Sequence, residues 1–555
     1  MNNDTTPFTP LQRLINLLKL DRRDIRQIFF YAIFAGLVAL SLPLGIQAII
    51  NLIQGAQITS SWIVLVVIVT LGVAFQGGLE FMQFRILENI QQKIFTRSSF
   101  EFAYRFPKIK LSELRNYYPP ELANRFFDTI SVQKGLPKIL LDFPAAILQI
   151  IFGLILLSFY HPFFIIYGFL LILLIYAVFR YTAKSGLDTS LKESKAKYKV
   201  AHWIQEIARS IISFKLSPRT NLAMDRNNEL TKEYLDAREN HFKILVIQFF
   251  MIVGFKILVT AGLLVIGGLL VLNQQMNIGQ FVAAEIIILL VIGSVEKLIM
   301  GLETVYDVLT SLEKIGQIVD KDLEPLNELP IFENGSDFHI EVDQVDFLRS
   351  NNSPIFANLS LKINPGDRIL LEGPSGSGKT TLLKLITGLL EPAKGNIYIN
   401  NTSYNGIDPN SLRKYIGQML PEQMPFEGTI RENISFGNKE VSDSKLYEVV
   451  KNVGLLPFLK DQLKGLDTFL HPEGQQIPQT VSRRILLARA ILNQPKLLLL
   501  KDPFEQFETG EVQCLIEFLT DPKQPWILIV SSRDPLWKNH CNRILEIQNR
   551  SIIEK

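Results

Sequence analysis

Apolar residues gather into long runs in the first three hundred positions: Gln27 to Ile53, Trp62 to Met82, Ile139 to Tyr160, Phe163 to Tyr181, Ile244 to Leu272, and Ile278 to about Met300. Most reach the roughly 20 residues that a helix needs to cross the hydrocarbon of a bilayer. The fourth is the shortest and is set off from the third only by His161-Pro162. The first run follows Lys19, Arg22, Arg23 and Arg26 and continues through Pro43 without a small-residue cleavage site, so it reads as a membrane helix rather than a secretory signal. Between the runs lie two polar segments, Arg85 to Lys138 and Arg180 to Lys243. They are too long for structureless loops. Ile86, Ile90, Ile94 and Phe95 recur at helical spacing, so the membrane helices are expected to continue beyond the bilayer. Breaks at Pro119-Pro120 and Ser217-Pro218 suggest short transverse helices around Pro119 to Arg125 and Phe214 to Thr220 that touch the C-terminal half, with plain surface turns as the alternative.

After a linker containing Pro325, Pro330, Asn334 and Gly335 the periodicity changes. Short β-rich runs, Phe338 to Val342, Leu359 to Ile363, Ile369 to Leu371, Ile397 to Ile399, Leu497 to Leu500 and Trp526 to Val530, alternate with helical stretches. That alternation predicts an α/β domain. The expected division is a polar N-terminal segment (1–24), a six-helix transmembrane domain (25–319), a linker (320–336) and an α/β domain (337–555).

Composition supports the division. A hydrophobic share of 48% and a mean hydropathy of +0.20 are too apolar for an ordinary soluble chain of 555 residues, so part of it belongs in a bilayer. A net charge of +3 gives no reason to expect nucleic acid as a partner. Cys514 and Cys541 have no metal-ligand spacing and suit a reduced cytosolic environment as small core residues. The two long segments are rich in Lys and Arg, whereas Gln54 to Ser61, His161-Pro162 and Asn273 to Asn277 have none. Both termini are therefore expected in the cytoplasm, in an integral protein of the inner or cell membrane.

Charges inside the apolar runs are costly and need a reason. Lys256 and Glu296 fall at similar depth on adjacent helices, given a rise of about 1.5 Å per residue. They either pair to fix the packing or line a polar path. Glu285, nearer the middle of the membrane and with no basic residue level with it, leans toward the path.

The chemistry concentrates at Arg368 to Leu383. A β-rich run enters Gly373-Pro374-Ser375-Gly376-Ser377-Gly378-Lys379-Thr380-Thr381 and leaves as the helical pattern Leu382, Leu383, Leu385, Ile386. This is the G-x-x-x-x-G-K-[ST] spacing in its strand, loop and helix context, in which backbone N–H groups curl around a phosphate at a helix N-terminus. Lys379 would reach the outer phosphates of ATP and the Thr380 hydroxyl would hold Mg²⁺. A soluble P-loop kinase or GTPase is excluded by the six spans.

Six membrane helices with cytoplasmic extensions followed by one P-loop domain resemble a half-transporter of the ATP-binding cassette (ABC) exporter superfamily over nearly the whole chain. Leu412-Arg413, Phe426 to Ile434 and Leu487 to Pro495 are similar to recurring family segments. The membrane half most resembles the branch that exports toxins, bacteriocins and other peptides, with no room for the N-terminal peptidase domain some of those exporters carry. The resemblance implies a homodimer or a heterodimer with a second half-transporter, and a transported substrate whose identity the helix faces do not reveal.

It also implies site residues, and several depart from the family. Arg349 stands where an aromatic residue stacks on adenine; a guanidinium can stack in its place. The glutamine that senses Mg²⁺ falls at Pro421, flanked out of register by Gln418 and Gln423. The signature that cradles the γ-phosphate of the opposite subunit's ATP is Ile477-Pro478-Gln479-Thr480-Val481, without either glycine. After Leu497 to Leu500, the magnesium-ordering Asp and the water-polarising Glu are replaced by Lys501 and Asp502. Asp502 is the remaining catalytic candidate, or the magnesium partner if the register slips. The switch histidine is Ser532. Losing one such group commonly costs about 10² or more in rate, and here several are absent together. Two readings follow: a transporter subunit that binds ATP but hydrolyses it poorly and works beside a more complete partner, or a non-hydrolysing pseudo-ATPase with an assembly or regulatory role.

Overall fold

The computed structural model describes residues 8–54, 60–115, 117–217, 220–325, 338–349 and 353–555. They form two units, Met1–Lys108 with Tyr117–Lys321, and Ile109–Asn116 with Asp322–Lys555. The first is helical and holds six spans long and apolar enough to cross a membrane: Arg22–Gln54, Ser60–Lys108, Pro119–Tyr160, Phe163–Arg209, Leu222–Leu272 and Ile278–Val319. Single helices run over Ser60–Arg105, Phe163–Arg209 and Leu222–Gly262, the longest 47 residues. At 1.5 Å per residue that is roughly 70 Å, far beyond the hydrocarbon thickness, so their basic ends stand outside it. The third span begins earlier than its apolar run: Pro137 ends the helix Asp128–Pro137, and a π-helical turn, Lys138–Asp142, re-aims the chain into Phe143–Tyr160.

Packing sorts the spans. No residue in the apolar window of the second is fully buried, although Gly72 and Val69 pack against Ser41 and Gly45 of the first, whereas half of the sixth is buried. Ala284, Ile287, Ile288, Val291 and Val295 of the sixth pack against Ala146, Ile150 and Leu157 of the third and Ile252, Phe255 and Val259 of the fifth. Lys256 Nζ meets Glu296 Oε2 at 2.5 Å across the fifth and sixth spans, so this pair forms. Glu285 is half-buried and has no ion pair among the described residues.

Pro119–Ala123 is a short helix, but it stays with the membrane unit, as does Ile211–Leu216. Pro218 and Arg219 lie outside the described residues. The stretch Ile109–Asn116 belongs to the second unit: Ile109 bridges Leu323, the Lys110 N–H donates to the Asp322 carbonyl at 3.0 Å, and the Arg115 guanidinium lies 5.4 Å over the Phe347 ring.

The second unit contains twelve strands among its described residues: β1 Ile340–Leu348, β2 Pro354–Ile363, β3 Arg368–Glu372, β4 Lys394–Ile399, β5 Thr402–Ser403, β6 Ile416–Met419, β7 Gly428–Thr429, β8 Phe469–Leu470, β9 Leu497–Lys501, β10 Ile527–Ser531, β11 Arg543–Gln548 and β12 Ser551–Glu554. An antiparallel sheet has the order β2-β1-β4-β5, and β7 pairs with β8. The main sheet has the order β12-β11-β3-β10-β9-β6, parallel except for β12. Its strands are apolar on both faces, as parallel strands covered on two sides must be. Ile369, Leu371, Leu497 and Leu499 face one core with Leu382, Leu383 and Ile386 of the helix Lys379–Ile386. Leu370, Leu498, Leu500, Leu528 and Val530 face the other, with Ile485, Leu487 and Ile491 of the helix Gln479–Ile491.

Candidate functional site

The C-terminal ends of β3, β10 and β9 open onto a cleft of about 940 Å³. Open α/β sheets place ligands at this edge of their parallel strands. Its wall holds Gly373, Ser375, Gly376, Gly378, Lys379, Thr380 and Thr381 from the loop after β3, and Arg349 and Ile355 from the β1 and β2 side. Lys501, Asp502, Ser531 and Ser532 stand opposite. The residues singled out in the sequence thus come together here, with Pro374 and Ser377 inside the same loop.

The loop needs its glycines. Gly378 has φ +109°, and a Cβ there would come within 2.8 Å of both Ile355 Cγ2 and Phe356 Cζ. Only a residue without a side chain holds this conformation at such close approach. Gly376, at φ +82°, has open space where its Cβ would be, so the backbone presents itself to the cleft. The Lys379 ammonium donates to the carbonyls of Gly373 (2.6 Å) and Pro374 (2.8 Å), which folds it over the loop. Burial, then the nearby Lys501 charge, pulls its pKa below the usual lysine range. Ser377 Oγ is buried without a partner. A triphosphate fits this cradle: glycine-loop amides, of which that of Ser377 donates to the Pro374 carbonyl, a helix N-terminus and one lysine at the mouth.

The opposite wall is differently made. Lys501 ends β9 in register with Ser531 of β10. Side chains alternate along a strand, so Lys501 lies on the face of Leu497 and Leu499, the face that carries the phosphate-loop helix. Its ammonium forms an ion pair with the Asp502 carboxylate. Asp502 has left the strand at φ +43°, its N–H donating to the Ser531 carbonyl at 2.8 Å while Arg483 Nη1 donates to its own carbonyl at 2.5 Å. The carboxylate of the catalytic candidate is therefore committed to a lysine. Thr380 offers a hydroxyl for Mg²⁺, but the position that would share the ion is Lys501, the neighbouring Asp502 carboxylate is paired with that lysine, and among the described residues no three His, Cys, Asp or Glu side chains group to hold a metal. These donors do not fit a hard divalent cation.

The other departures sit apart. Gln418 lies within β6 opposite Leu499, its Oε1 buried and unpartnered, and Gln423 accepts from the Leu420 N–H at 3.0 Å; neither lines the cleft. The signature stretch opens the helix Gln479–Ile491 with Pro478 as N-cap, which supplies no side-chain cap. Arg489 on this helix donates to the Asn433 carbonyl at 2.6 Å, and burial pulls its pKa down to about 10. Ser532 Oγ accepts from the Asp534 N–H at 3.1 Å. Sequence reading missed Glu372, Phe504, Arg533 and Glu546 of the wall. The signal for them is position, since Glu372 and Arg533 end or follow parallel strands that point at the loop.

The fold and cleft together define a membrane-spanning helical bundle joined to a P-loop nucleotide-binding domain. Residues 25–295 match the family model for the ABC transporter transmembrane region, and residues 356–505 that for the ABC transporter. The two models together cover most of the chain, which belongs to the ABC transporters, with transmembrane region and ATP-binding domain in one polypeptide. It is similar to a "Putative export ATP-binding/permease protein" of Rickettsia typhi, 34% identical over 209 residues, which is 37% of this chain and 36% of that protein. A fatty acid ABC transporter ATP-binding/permease protein of Mycobacterium tuberculosis is 26% identical over 248 residues, 44% of this chain and 39% of that protein. These matches thus span little more than a third of the relatives' own length. A solved bacterial Atm1-family ABC exporter with ATP bound superposes with a TM-score of 0.85 at 16% identity, over 96% of this chain and 94% of that one, a likeness of fold.

Proposed function

We propose that this chain is the ATP-binding subunit of an export transporter whose own hydrolytic capacity is low. The observation that carries this reading is the contrast within one cleft: an open glycine loop with Lys379 over it, facing a wall where Lys501 occupies the neighbouring Asp502. ATP supplies a polyphosphate that can bridge the two halves of a transporter. Here the loop amides and Lys379 bind and orient it, Thr380 offers a hydroxyl, and Arg349 offers a guanidinium face to the base. Lys501 occupies the Asp502 carboxylate, and Ser532 carries no charge to a phosphate.

The signature helix without glycine favours a heterodimer, in which a second half-transporter brings an intact signature to this loop. Both termini in the cytoplasm, domain limits near 24, 319 and 336, and a peptide, protein or lipid-like cargo complete the reading. The substitutions at Lys501, Ser532 and Pro478 favour a second reading, a pseudo-ATPase that binds nucleotide for assembly or regulation. Coexpression with candidate partners and reconstitution in vesicles test the first: transport should appear only with the complete partner and vanish with Lys379→Ala. Transport that ignores Lys379→Ala would move the chain to the second reading.

A further inference from the structure

We infer that this site takes ATP in its metal-free form, with the Lys501 ammonium serving the phosphates where a divalent cation would otherwise be required. This rests on the reading of Gly373 to Thr381 as the ATP-binding loop and adds the chemical form of the ligand. The placement of Lys501 follows from the sheet. It shares a face with Leu497 and Leu499, whose core includes Leu382 and Leu383 behind the loop, and it lines the same cleft as Lys379 and Thr380. Arg533 lines that cleft as well, so with Lys379 and Lys501 three cationic side chains surround the space for one polyphosphate.

The acids do not offset them for a metal. Asp502 is neutralised by Lys501, its backbone fixed on both sides by Ser531 and Arg483. Glu372 is engaged by Lys538 at 2.8 Å, Glu505 by Arg483 at 3.2 Å and Glu546 by Lys555 at 2.8 Å. Asp534 caps its own turn, accepting from the Leu536 N–H at 3.0 Å. A magnesium ion at Thr380 would meet one hydroxyl and a neighbouring ammonium that competes for the same phosphate oxygens. Mg²⁺ gives up its waters reluctantly and is ordinarily held by carboxylates together with phosphates, so the lysine wins this competition. ATP is a tetra-anion without its metal, and charge-assisted hydrogen bonds from several lysines and arginines are the interactions that would hold it.

Titration of ATP into the purified full-length protein in lipid nanodiscs, followed by calorimetry, tests this in excess Mg²⁺ and in EDTA. Wild-type protein should bind ATP at least about tenfold more tightly in EDTA than in excess Mg²⁺, because the metal sequesters in solution the form of ATP that this site takes. Lys501→Met should weaken binding in EDTA by about tenfold. Lys501→Asp should make binding at least about tenfold tighter with Mg²⁺ than in EDTA, because it supplies the missing carboxylate. Thermal unfolding checks that each variant is folded; should Lys501→Asp fail to fold, the wild-type and Lys501→Met comparison decides alone. Wild-type binding that is equal in the two media, or weaker in EDTA, overturns the inference while leaving the nucleotide loop standing. No binding in either medium overturns both.

Discussion

β3 and β9 flank β10 in one parallel sheet, and each runs as four buried apolar or alkyl-stemmed residues into a single polar one at the cleft. Their exits differ. After β3 comes a glycine loop that leaves its amides free; at the end of β9 stands Lys501, paired with an aspartate in a left-handed turn. The two strands are held by the same physics, burial on both faces, and neither depends on the chemistry of its exit. Gripping a triphosphate and cleaving it therefore reside in separable parts of the molecule, and the second can be lost while the sheet and the grip persist.

The largest effect should come from filling the loop. Gly378→Val puts a branched side chain at φ +109°, where even the Cβ approaches Ile355 and Phe356 within 2.8 Å. Overpacking of this kind together with the backbone penalty should cost several kcal/mol locally, lowering ATP affinity by about 10² or more. Calorimetry reads the loss, with circular dichroism to confirm folding, and unchanged affinity would place nucleotide elsewhere. Next in size is turnover. Phosphate release by the purified homodimer should run at least about 10² below an ordinary exporter's few turnovers per second. Converting Lys501→Asp, Asp502→Glu and Ser532→His together should raise it more than about tenfold. A wild-type homodimer already turning over at full speed would erase the contrast between the two strand ends.

A parallel contrast lies in the membrane half, where Lys256 and Glu296 are paired and Glu285 has no ion pair among the described residues. A double-mutant cycle on Lys256→Met and Glu296→Gln should give a coupling of about 1 kcal/mol, the scale of polar contacts between membrane helices. Glu285→Gln should leave unfolding in detergent almost unchanged and alter transport instead. Equal effects of the three substitutions on stability would show that all three charges do the same structural work.

The six spans and the α/β character of the second unit were legible because membrane helices and parallel strands announce themselves by apolarity. β6, β11 and β12 were not. In β6 the run Ile416-Gly417-Gln418-Met419 carries a glycine that argues against a strand, yet a Cβ there would meet the Ala490 carbonyl at 2.1 Å, so close packing against the helix Gln479–Ile491 is its reason. The loop glycines and Lys379 were readable from spacing alone. The pairing of Lys501 with Asp502, and the gathering of Arg533 and Glu546 around the cleft, were not, since they depend on strand order and on a left-handed turn that no local pattern encodes. That Ile109 and Lys110 belong to the second unit was not readable either, since it rests on their backbone pairing with Leu323 and Asp322.

The smallest expected effect returns to the polar residue that closes β3. The Glu372 carboxylate accepts from Lys538, and this hydrogen bond, with the charges of Lys538 and Lys555, holds its pKa below the usual glutamate range against a smaller opposing effect of burial. A carboxyl whose pKa is depressed by folding adds stability above its unfolded value, near 4.3, and loses it as the pH falls through the lower folded one. Both side chains are partly exposed, so the contribution is less than about 1 kcal/mol. Thermal unfolding of wild type and Lys538→Met should differ by a degree or two at neutral pH, on the scale of about 1 kcal/mol, and converge in acid. A gap that persists below the folded pKa would mean that Lys538 stabilises by packing its stem rather than by its charge.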